Sequence, residues 1–125
     1  MRIRTATQDD LDAICRVEAI CFPASEAGTR ESFAARLKVF PRHFLLLEDE
    51  GRLIGFVNGM VTDDRTISDV MFEQAELHKE DGKWLSVLGL DVLPEQRPNG
   101  NDGQLMRELN EHYREDGRCG CITTC

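Results

Sequence analysis

The chain has 125 residues, the size of a single domain spanning 1–125, and it can bury a core without disulfides or a metal. Hydrophobic residues make up 41% and charged residues 30%, which excludes a disordered chain. The net charge is −8 and the pI is near 4.8. We therefore expect no nucleic acid and no anionic membrane surface as partner, because both would repel the protein.

The N-terminal residues 1–5 alternate in polarity and lack the apolar stretch of a secretory leader. The longest uninterrupted apolar run, residues 44–47, is far shorter than the roughly 20 residues that span a bilayer. Five cysteines without a leader favour free thiols in a reducing compartment. The sequence thus predicts a cytoplasmic protein.

Hydrophobic periodicity predicts a mixed α/β order of elements. In chain order, the predicted elements are a strand, two helices, a β-hairpin, a short helix, a long strand, an amphipathic helix and a last strand: 2–6, 7–21, 30–39, 42–48 with 52–61, 68–75, 84–92, 101–115 and 119–125. Thr7 and Thr29 are the expected helix N-caps. Gly55 and Gly59 in the second hairpin strand indicate a bulge or a close backbone approach.

The segment 88–106 carries the most chemical information, because an apolar strand runs through a glycine-bearing turn into a helix. The first amides of a helix lack internal partners and attract anions, and glycine lets the backbone approach a phosphate. The segment lacks both G-x-G-x-x-G and Gly-Lys-Ser/Thr. The residues alone leave two readings open, a phosphate site or an ordinary strand-to-helix loop.

The run Val92-x-x-Glu95-x-Arg97-x-x-Gly100, followed by Leu105-Met106, resembles the acetyl-CoA signature R/Q-x-x-G-x-G/A of GNAT-superfamily N-acetyltransferases. The opening residues 2–12 and the strand 51–57 resemble that family in the same order. Within it, the likeness is to the serotonin (arylalkylamine) N-acetyltransferase branch, carried by four further segments: Phe22-Pro23, Phe40-Pro41, Asp63-Asp64-Arg65 and Leu77-His78 before Gly82.

The resemblance implies a GNAT-like mixed sheet, with an antiparallel β-meander and a strand-turn-helix-strand unit that binds acetyl-CoA. The last elements of that fold are expected to be missing from a C-terminally truncated chain. The implied cofactor-binding residues are Leu90, Asp91 and Val92, by their backbone against the pantetheine arm, and Arg97, Pro98, Asn99, Gly100, Asn101, Asp102 and Gly103 around the diphosphate. Acetyl would pass directly from acetyl-CoA to a small primary amine through a tetrahedral intermediate, without a metal.

Three departures from the family pattern affect this expectation. Asp102 stands where the family has Gly or Ala, and its carboxylate would either repel a diphosphate, by about 1 kcal/mol, or cap the helix and point away. Pro98 removes one amide donor from the turn. Ser86 and Leu88 replace the two histidines of the arylalkylamine branch, so the sequence assigns no catalytic base and favours water-relayed deprotonation.

Residues on the acceptor side have two readings each. Phe22 and Pro23 are the predicted acceptor-binding residues, and with Phe40 they could line an aromatic pocket or pack in the core. Seven carboxylates lie within 63–81. They form either an electrostatic funnel for a cationic amine or a solvated surface, and the solvated surface is favoured because most charged segments are of that kind.

The cysteines and histidines suggest no metal centre. Cys119, Cys121 and Cys125 are expected on one strand face as buried thiols, since their spacing does not suit zinc. His78 is expected to be an exposed loop residue. The alternative function is a catalytically silent CoA-binding or dimerisation module, and the exposed edge strand 119–125 predicts a homodimer or poor solubility.

Overall fold

The computed structural model describes residues 1–123 of the chain. Its strands are β1 (Arg2–Thr5), β2 (Phe44–Asp49), β3 (Arg52–Thr62), β4 (Trp84–Val92) and β5 (Gly120–Ile122). Its α-helices are α1 (Leu11–Cys21), α2 (Arg30–Val39), α3 (Val70–Glu73) and α4 (Asn101–Glu115). Short 3-10 turns cover Gln8–Asp10, Pro41–His43, Ala75–Leu77 and Pro94–Asn99. Within the described range, no helix is both long and apolar enough to cross a membrane.

The five strands form one mixed sheet in the order β1-β2-β3-β4-β5. The first four pair antiparallel, and β4 and β5 pair parallel. The predicted meander and the strand-turn-helix-strand unit are therefore confirmed, and the predicted bounds of β4 and α4 match those observed. The apolar run of β4 is largely buried because helices α1 and α4 pack against β4 from the two sides of the sheet.

The helices cover both faces of the sheet. Helices α1 and α2 pack on one face through a cluster that includes Ile14 and Phe33 against Phe56 of β3. Helix α4 packs on the opposite face, where Leu105 and Leu109 contact residues of β2, β3 and β4. Because helices cover both faces of the sheet, a binding site is expected at the edges of its strands.

The bulge predicted in β3 is present, with the register shifting between Asn58 and Gly59. At Gly55, a Cβ atom would lie 2.4 Å from the carbonyl oxygen of Asp91 in β4. Only glycine fits at this contact, because the neighbouring atom belongs to the backbone and cannot move aside.

Two predicted helices differ in detail from the observed elements. Thr7 is an N-cap as predicted, with Asp10 accepting a hydrogen bond from the Thr7 amide at 2.8 Å in a capping box, but the first turn is a 3-10 turn and α1 begins only at Leu11. Helix α2 does begin after Thr29, whose hydroxyl accepts from the Ser32 amide at 3.1 Å. The short helix predicted over 68–75 is divided between α3 and a following 3-10 turn.

The C-terminal strand is shorter than expected. Cys119 precedes β5 and is exposed, with its amide donating to the Lys83 carbonyl at 2.7 Å, so its prediction as a buried strand thiol is wrong. Cys121 lies in β5, where burial raises the pKa of its thiol to about 11. Cys125 lies outside the described residues.

Candidate active site

A cleft opens along β4 beyond the part of the strand that pairs with β5. The two strands pair only through Trp84, Leu85 and Ser86 of β4. Beyond Ser86, the edge of β4 has no partner strand on that side among residues 1–123. A cavity of about 870 Å³ runs along this edge and is walled by β4, by α2 and by the loop after α1. The residues of β4 that line it are Val87, Leu88, Gly89, Leu90 and Asp91.

Two carboxyl groups meet inside this cleft. Asp91 is only 1% exposed and Glu18 of α1 is 8% exposed. Burial and the neighbouring Glu18 raise the pKa of Asp91 to about 9, so Asp91 holds a proton at neutral pH. One oxygen of Glu18 accepts from the Gly28 amide at 2.7 Å, which ties the loop after α1 to the pair. The pair thus places one negative charge in a largely apolar pocket.

A buried arginine lies in the same cleft. Arg36 of α2 donates to Asn58 Oδ1 of β3 at 3.2 Å and to the carbonyl oxygen of Phe72 at 2.8 Å. Burial lowers the pKa of its guanidinium to about 10, which still leaves Arg36 charged at neutral pH. Arg36 Nε, Asn58 Nδ2 and Asp91 Oδ2 are all buried without a hydrogen-bond partner. Such atoms are rare in proteins and mark sites where a ligand or water completes the bonding.

Of the strand residues predicted to bind the cofactor, Leu90 and Asp91 line the cleft and Val92 does not. Leu90 is half-buried and lines the cavity. Asp91 contributes its carboxyl group, whereas the sequence prediction used only its backbone. Val92 is buried, and its carbonyl oxygen accepts from Arg97 Nε at 3.1 Å and from Cys21 Sγ at 3.4 Å. Arg97 is therefore folded back onto the end of β4.

The turn between β4 and α4 is exposed. Pro98, Asn99 and Gly100 all face solvent, and Gly100 has a left-handed φ of 76° that suits glycine. The Gly100 amide is bonded to the Arg97 carbonyl at 3.2 Å. Unlike these three residues, Asn101 is buried, and its side chain donates to the Gln96 carbonyl at 3.2 Å.

At the start of α4, Asp102 stays beside the helix N-terminus. Its Oδ1 accepts from the Gly103 amide at 2.9 Å. Of the two roles considered for this carboxylate, it takes the capping one, although it does not point away from the turn. With the Gly100 and Gly103 amides already bonded, fewer amides remain for a diphosphate than the family resemblance implies.

Of the three residues considered for an aromatic acceptor pocket, only Phe22 lines the cleft. Phe22 lines the cleft and is 37% exposed. Pro23 is exposed and does not line the cavity. Phe40 is buried against Met60 and Met71, which is the core reading of that residue.

Sequence reasoning missed Glu18, Arg36 and Asn58. Each sits in an apolar run of its element, and a charged or amide residue there is a usable signal, since such residues are seldom fully buried without a partner. The signal shows which residues are unusual but gives no indication that they share one cleft.

None of the residues His43, His78 and Glu80 lines the cleft, yet their ligand atoms come within 4.8 Å of one another. His78 Nδ1 accepts from the Val61 amide at 3.0 Å, so its Nε2 carries the proton and donates to Glu80 at 2.8 Å. This tautomer uses the nitrogen that a metal would need. The prediction of an exposed loop histidine is wrong, because the His78 side chain is 4% exposed.

The mixed sheet, the exposed turn after β4 and the helix that follows it allow the chain to be compared with known proteins. Residues 11–125 match the model of the acetyltransferase (GNAT) family. The chain belongs to this family. Its mixed sheet and helices are the GNAT fold, as the resemblance implied.

Three proteins illustrate the relationship within GNAT proteins and beyond. The probable hydrolase YhcX of Bacillus subtilis (strain 168) is 26% identical over 98 residues, which are 74% of this chain and 19% of that protein. The structure of the GphF GNAT-like decarboxylase in complex with isobutyryl-CoA has a TM-score of 0.80 and 30% identity, over 89% of this chain and 58% of that one. The aminoglycoside antibiotic 6'-N-acetyltransferase AAC(6')-IG from Acinetobacter haemolyticus has a TM-score of 0.74 and 16% identity, over 100% and 79%.

This GNAT chain spans about a fifth of the curated relative and less than two thirds of the GphF chain. The likeness to AAC(6')-IG, at 16% identity, concerns the fold alone.

Proposed function

We propose that the chain is an acyl-CoA-dependent N-acyltransferase that moves acetyl from acetyl-CoA directly to a small primary amine. The observation that carries this proposal is the juxtaposition of the free edge of β4 with a buried carboxyl pair in one cleft. The edge offers backbone groups to a CoA arm, and the pair offers a negative charge to an ammonium group.

The CoA side of the site fits an extended ligand. Leu90 lies on the unpaired edge of β4, where backbone groups can bind an extended chain as another strand would. The exposed turn at Gly100 and the start of α4 suit a diphosphate through those amides that remain unbonded, because the first amides of a helix lack intrahelical partners. The Gly100 and Gly103 amides are already bonded within the chain. GphF, 30% identical, is described in complex with isobutyryl-CoA, which supports an acyl-CoA ligand here.

The acceptor side of the site fits an amine. Asp91 and Glu18 place two carboxyl groups side by side, so they can bind an ammonium group and take up a proton it loses. Phe22, Phe33 and Phe72 line the same cleft, which suits an arylalkylamine, the acceptor class of the branch that the sequence resembles. AAC(6')-IG, named as an aminoglycoside N-acetyltransferase, shows that the fold serves amine acceptors.

The decisive experiment incubates the chain with acetyl-CoA and a panel of phenethylamine, tryptamine and an aminoglycoside. Mass spectrometry of the acetylated amine is the proper readout, since the protein's own five cysteines would react with thiol reagents. Acetylated product supports the proposal. Acetyl-CoA binding by calorimetry without product supports the silent CoA-binding module instead, and absence of binding overturns both.

We predict that Asp102→Ala tightens acetyl-CoA binding by about 3- to 10-fold. The substitution removes a negative charge from the diphosphate position and frees the Gly103 amide that Asp102 now occupies, effects worth about 1 kcal/mol in a solvated site. Asp102→Asn is the matched control, because it removes the charge and keeps an acceptor for the amide. Calorimetry that finds unchanged affinity for both variants would show that the turn does not hold the diphosphate.

A further inference from the structure

Two hydrogen-bond donors in the cleft are buried and have no partner. Arg36 is 4% exposed and Asn58 is fully buried, yet Arg36 Nε and Asn58 Nδ2 bond to nothing among the described residues. Leaving a buried donor unpaired costs about 1–3 kcal/mol, more for a charged group. Arg36 already holds α2 against β3 and against the carbonyl of Phe72, and it uses only its Nη1 and Nη2 atoms to do so. The unpaired donors therefore have no evident structural use.

A small hollow lies between Asn58 and Asp91, in the same cavity that Arg36 lines. A Cβ atom at Gly89 would lie 3.4 Å from Asn58 Nδ2 and 3.8 Å from Asp91 Oδ1. The missing side chain of Gly89 thus leaves a space that a donor flanks on one side and a carboxyl oxygen on the other. A ligand entering this space meets both within ordinary contact distance.

We propose that the donors Arg36 and Asn58 form a carboxylate subsite next to the ammonium position at Asp91 and Glu18, so that the preferred acceptor is an amino acid. This inference rests on the proposed acyl-transfer function and specifies its substrate class. The guanidinium of arginine is the side chain best suited to binding a carboxylate. A zwitterion would satisfy the unpaired donors and the negative carboxyl pair at the same time.

The charges of the inner cleft agree with a zwitterionic ligand. Arg36 carries one positive charge, and the Asp91–Glu18 pair carries one negative charge. A simple amine would leave the positive charge of Arg36 facing the ligand without compensation, in a site where burial weakens screening. An amino acid brings its own negative charge to that position.

The test compares acceptor pairs that differ only in the carboxylate, phenylalanine against phenethylamine and tryptophan against tryptamine. The expected result is a kcat/KM at least 10-fold higher for the amino acid of each pair. In Arg36→Gln this preference should fall to about 1, whereas Arg16→Gln, which removes an exposed arginine of α1, should keep it. An equal or better kcat/KM for the plain amines, unchanged in Arg36→Gln, would overturn the subsite while leaving acyl transfer intact.

Gly89→Ala provides the second variant, in case Arg36→Gln does not fold. Its methyl group would make ordinary contacts and fill the hollow. We expect it to fold and to lose the amino-acid preference. A Gly89→Ala protein that keeps the preference would show that the carboxylate binds elsewhere.

The carboxylate that binds Arg36 and Asn58 could belong to the acyl group of the acyl-CoA instead of the acceptor. A second experiment distinguishes these two sources. Succinyl-CoA and butyryl-CoA share a four-carbon acyl chain and differ at the terminal carboxylate. A preference for succinyl-CoA that Arg36→Gln abolishes, with no preference among the acceptors, would overturn the amino-acid assignment and place the carboxylate on the acyl group.

A binding measurement keeps the inference testable if acyl transfer itself fails. In a thermal-shift experiment on the full chain without CoA, phenylalanine should raise the unfolding temperature of the wild type and not that of Gly89→Ala, and phenethylamine should raise it less. This result together with no acyl transfer would refute the proposed function and retain the carboxylate subsite. The absence of any phenylalanine-induced shift in the wild type would refute the subsite.

Discussion

Asp91→Asn is expected to lower kcat/KM for acyl transfer by about 100-fold and to make the protein more stable at alkaline pH. The loss of activity follows from removing one member of the carboxyl pair that holds the ammonium group and takes up its proton, a role worth 10²–10⁴-fold in enzymes. Asparagine keeps nearly the same size and shape beside Glu18 and cannot ionise.

The gain in stability follows from the direction of the Asp91 pKa shift. The folded state raises the pKa of Asp91 from 3.8 to about 9, so the native protein keeps a proton that the unfolded chain releases in this pH range. The stabilisation from the protonated form is complete below about pH 4 and declines as pH rises to 9, by at most about 1.4 kcal/mol per pH unit. Asparagine has no proton to lose, so the variant escapes this decline.

The measurement is the free energy of unfolding in urea at pH 5, 7 and 9 for the wild type, for Asp91→Asn and for Asp9→Asn. Asp9 is exposed and serves as the matched control. The advantage of Asp91→Asn over the wild type should grow with pH, and that of Asp9→Asn should not. A constant difference across the three pH values would mean that Asp91 is ionised in the folded protein.

Gly55→Ala is expected to destabilise the protein by about 3 kcal/mol or more. Its Cβ would lie 2.4 Å from the carbonyl oxygen of Asp91 and 3.1 Å from Val92 Cα, so β3 and β4 would have to separate behind the cleft. Overpacking against backbone is costly because no side-chain rotation relieves it.

Gly89→Ala is the matched control for this effect on stability. Its Cβ would meet its neighbours at 3.4 Å or more, and we expect a change within about 1 kcal/mol. Urea unfolding measures both variants. Equal stabilities for Gly55→Ala and the wild type would show that β3 and β4 are not in close contact at this point.

Much of the fold could be predicted from local patterns. The bounds of β4 and α4 follow from an apolar run and a helical stripe, and the N-cap at Thr29 follows from its hydroxyl. The bulge in β3 was indicated by its glycines. The start of α1 was less predictable, because Arg4 and Asp10 form a contact that competes with a regular helical start.

For the candidate site, sequence reasoning could point only to the turn after β4, whose role in binding CoA stays a prediction. The turn after β4 has a signature that can be read in sequence, and residues of the same run lie together in space. The acceptor side depends on Glu18 and Asp91, and on Arg36 and Asn58, which belong to different elements. The sequence therefore gave Asp91 a backbone role and named no catalytic base. The base in the proposed function is the Asp91–Glu18 pair.

The sequence by itself determined the order of elements, the two glycine-dependent close points of β3 and β4, and membership in a fold with a CoA-type turn. These are properties of residues near one another along the chain, where periodicity, caps and turn chemistry act. Only the tertiary structure decided that β4 pairs with β5 no further than Ser86 among residues 1–123, and that the adjoining cleft collects charged side chains from α1, α2 and β4 and an amide from β3. The reason is that a raised pKa or an unpaired donor arises from burial and from neighbours brought by folding, which no local pattern records.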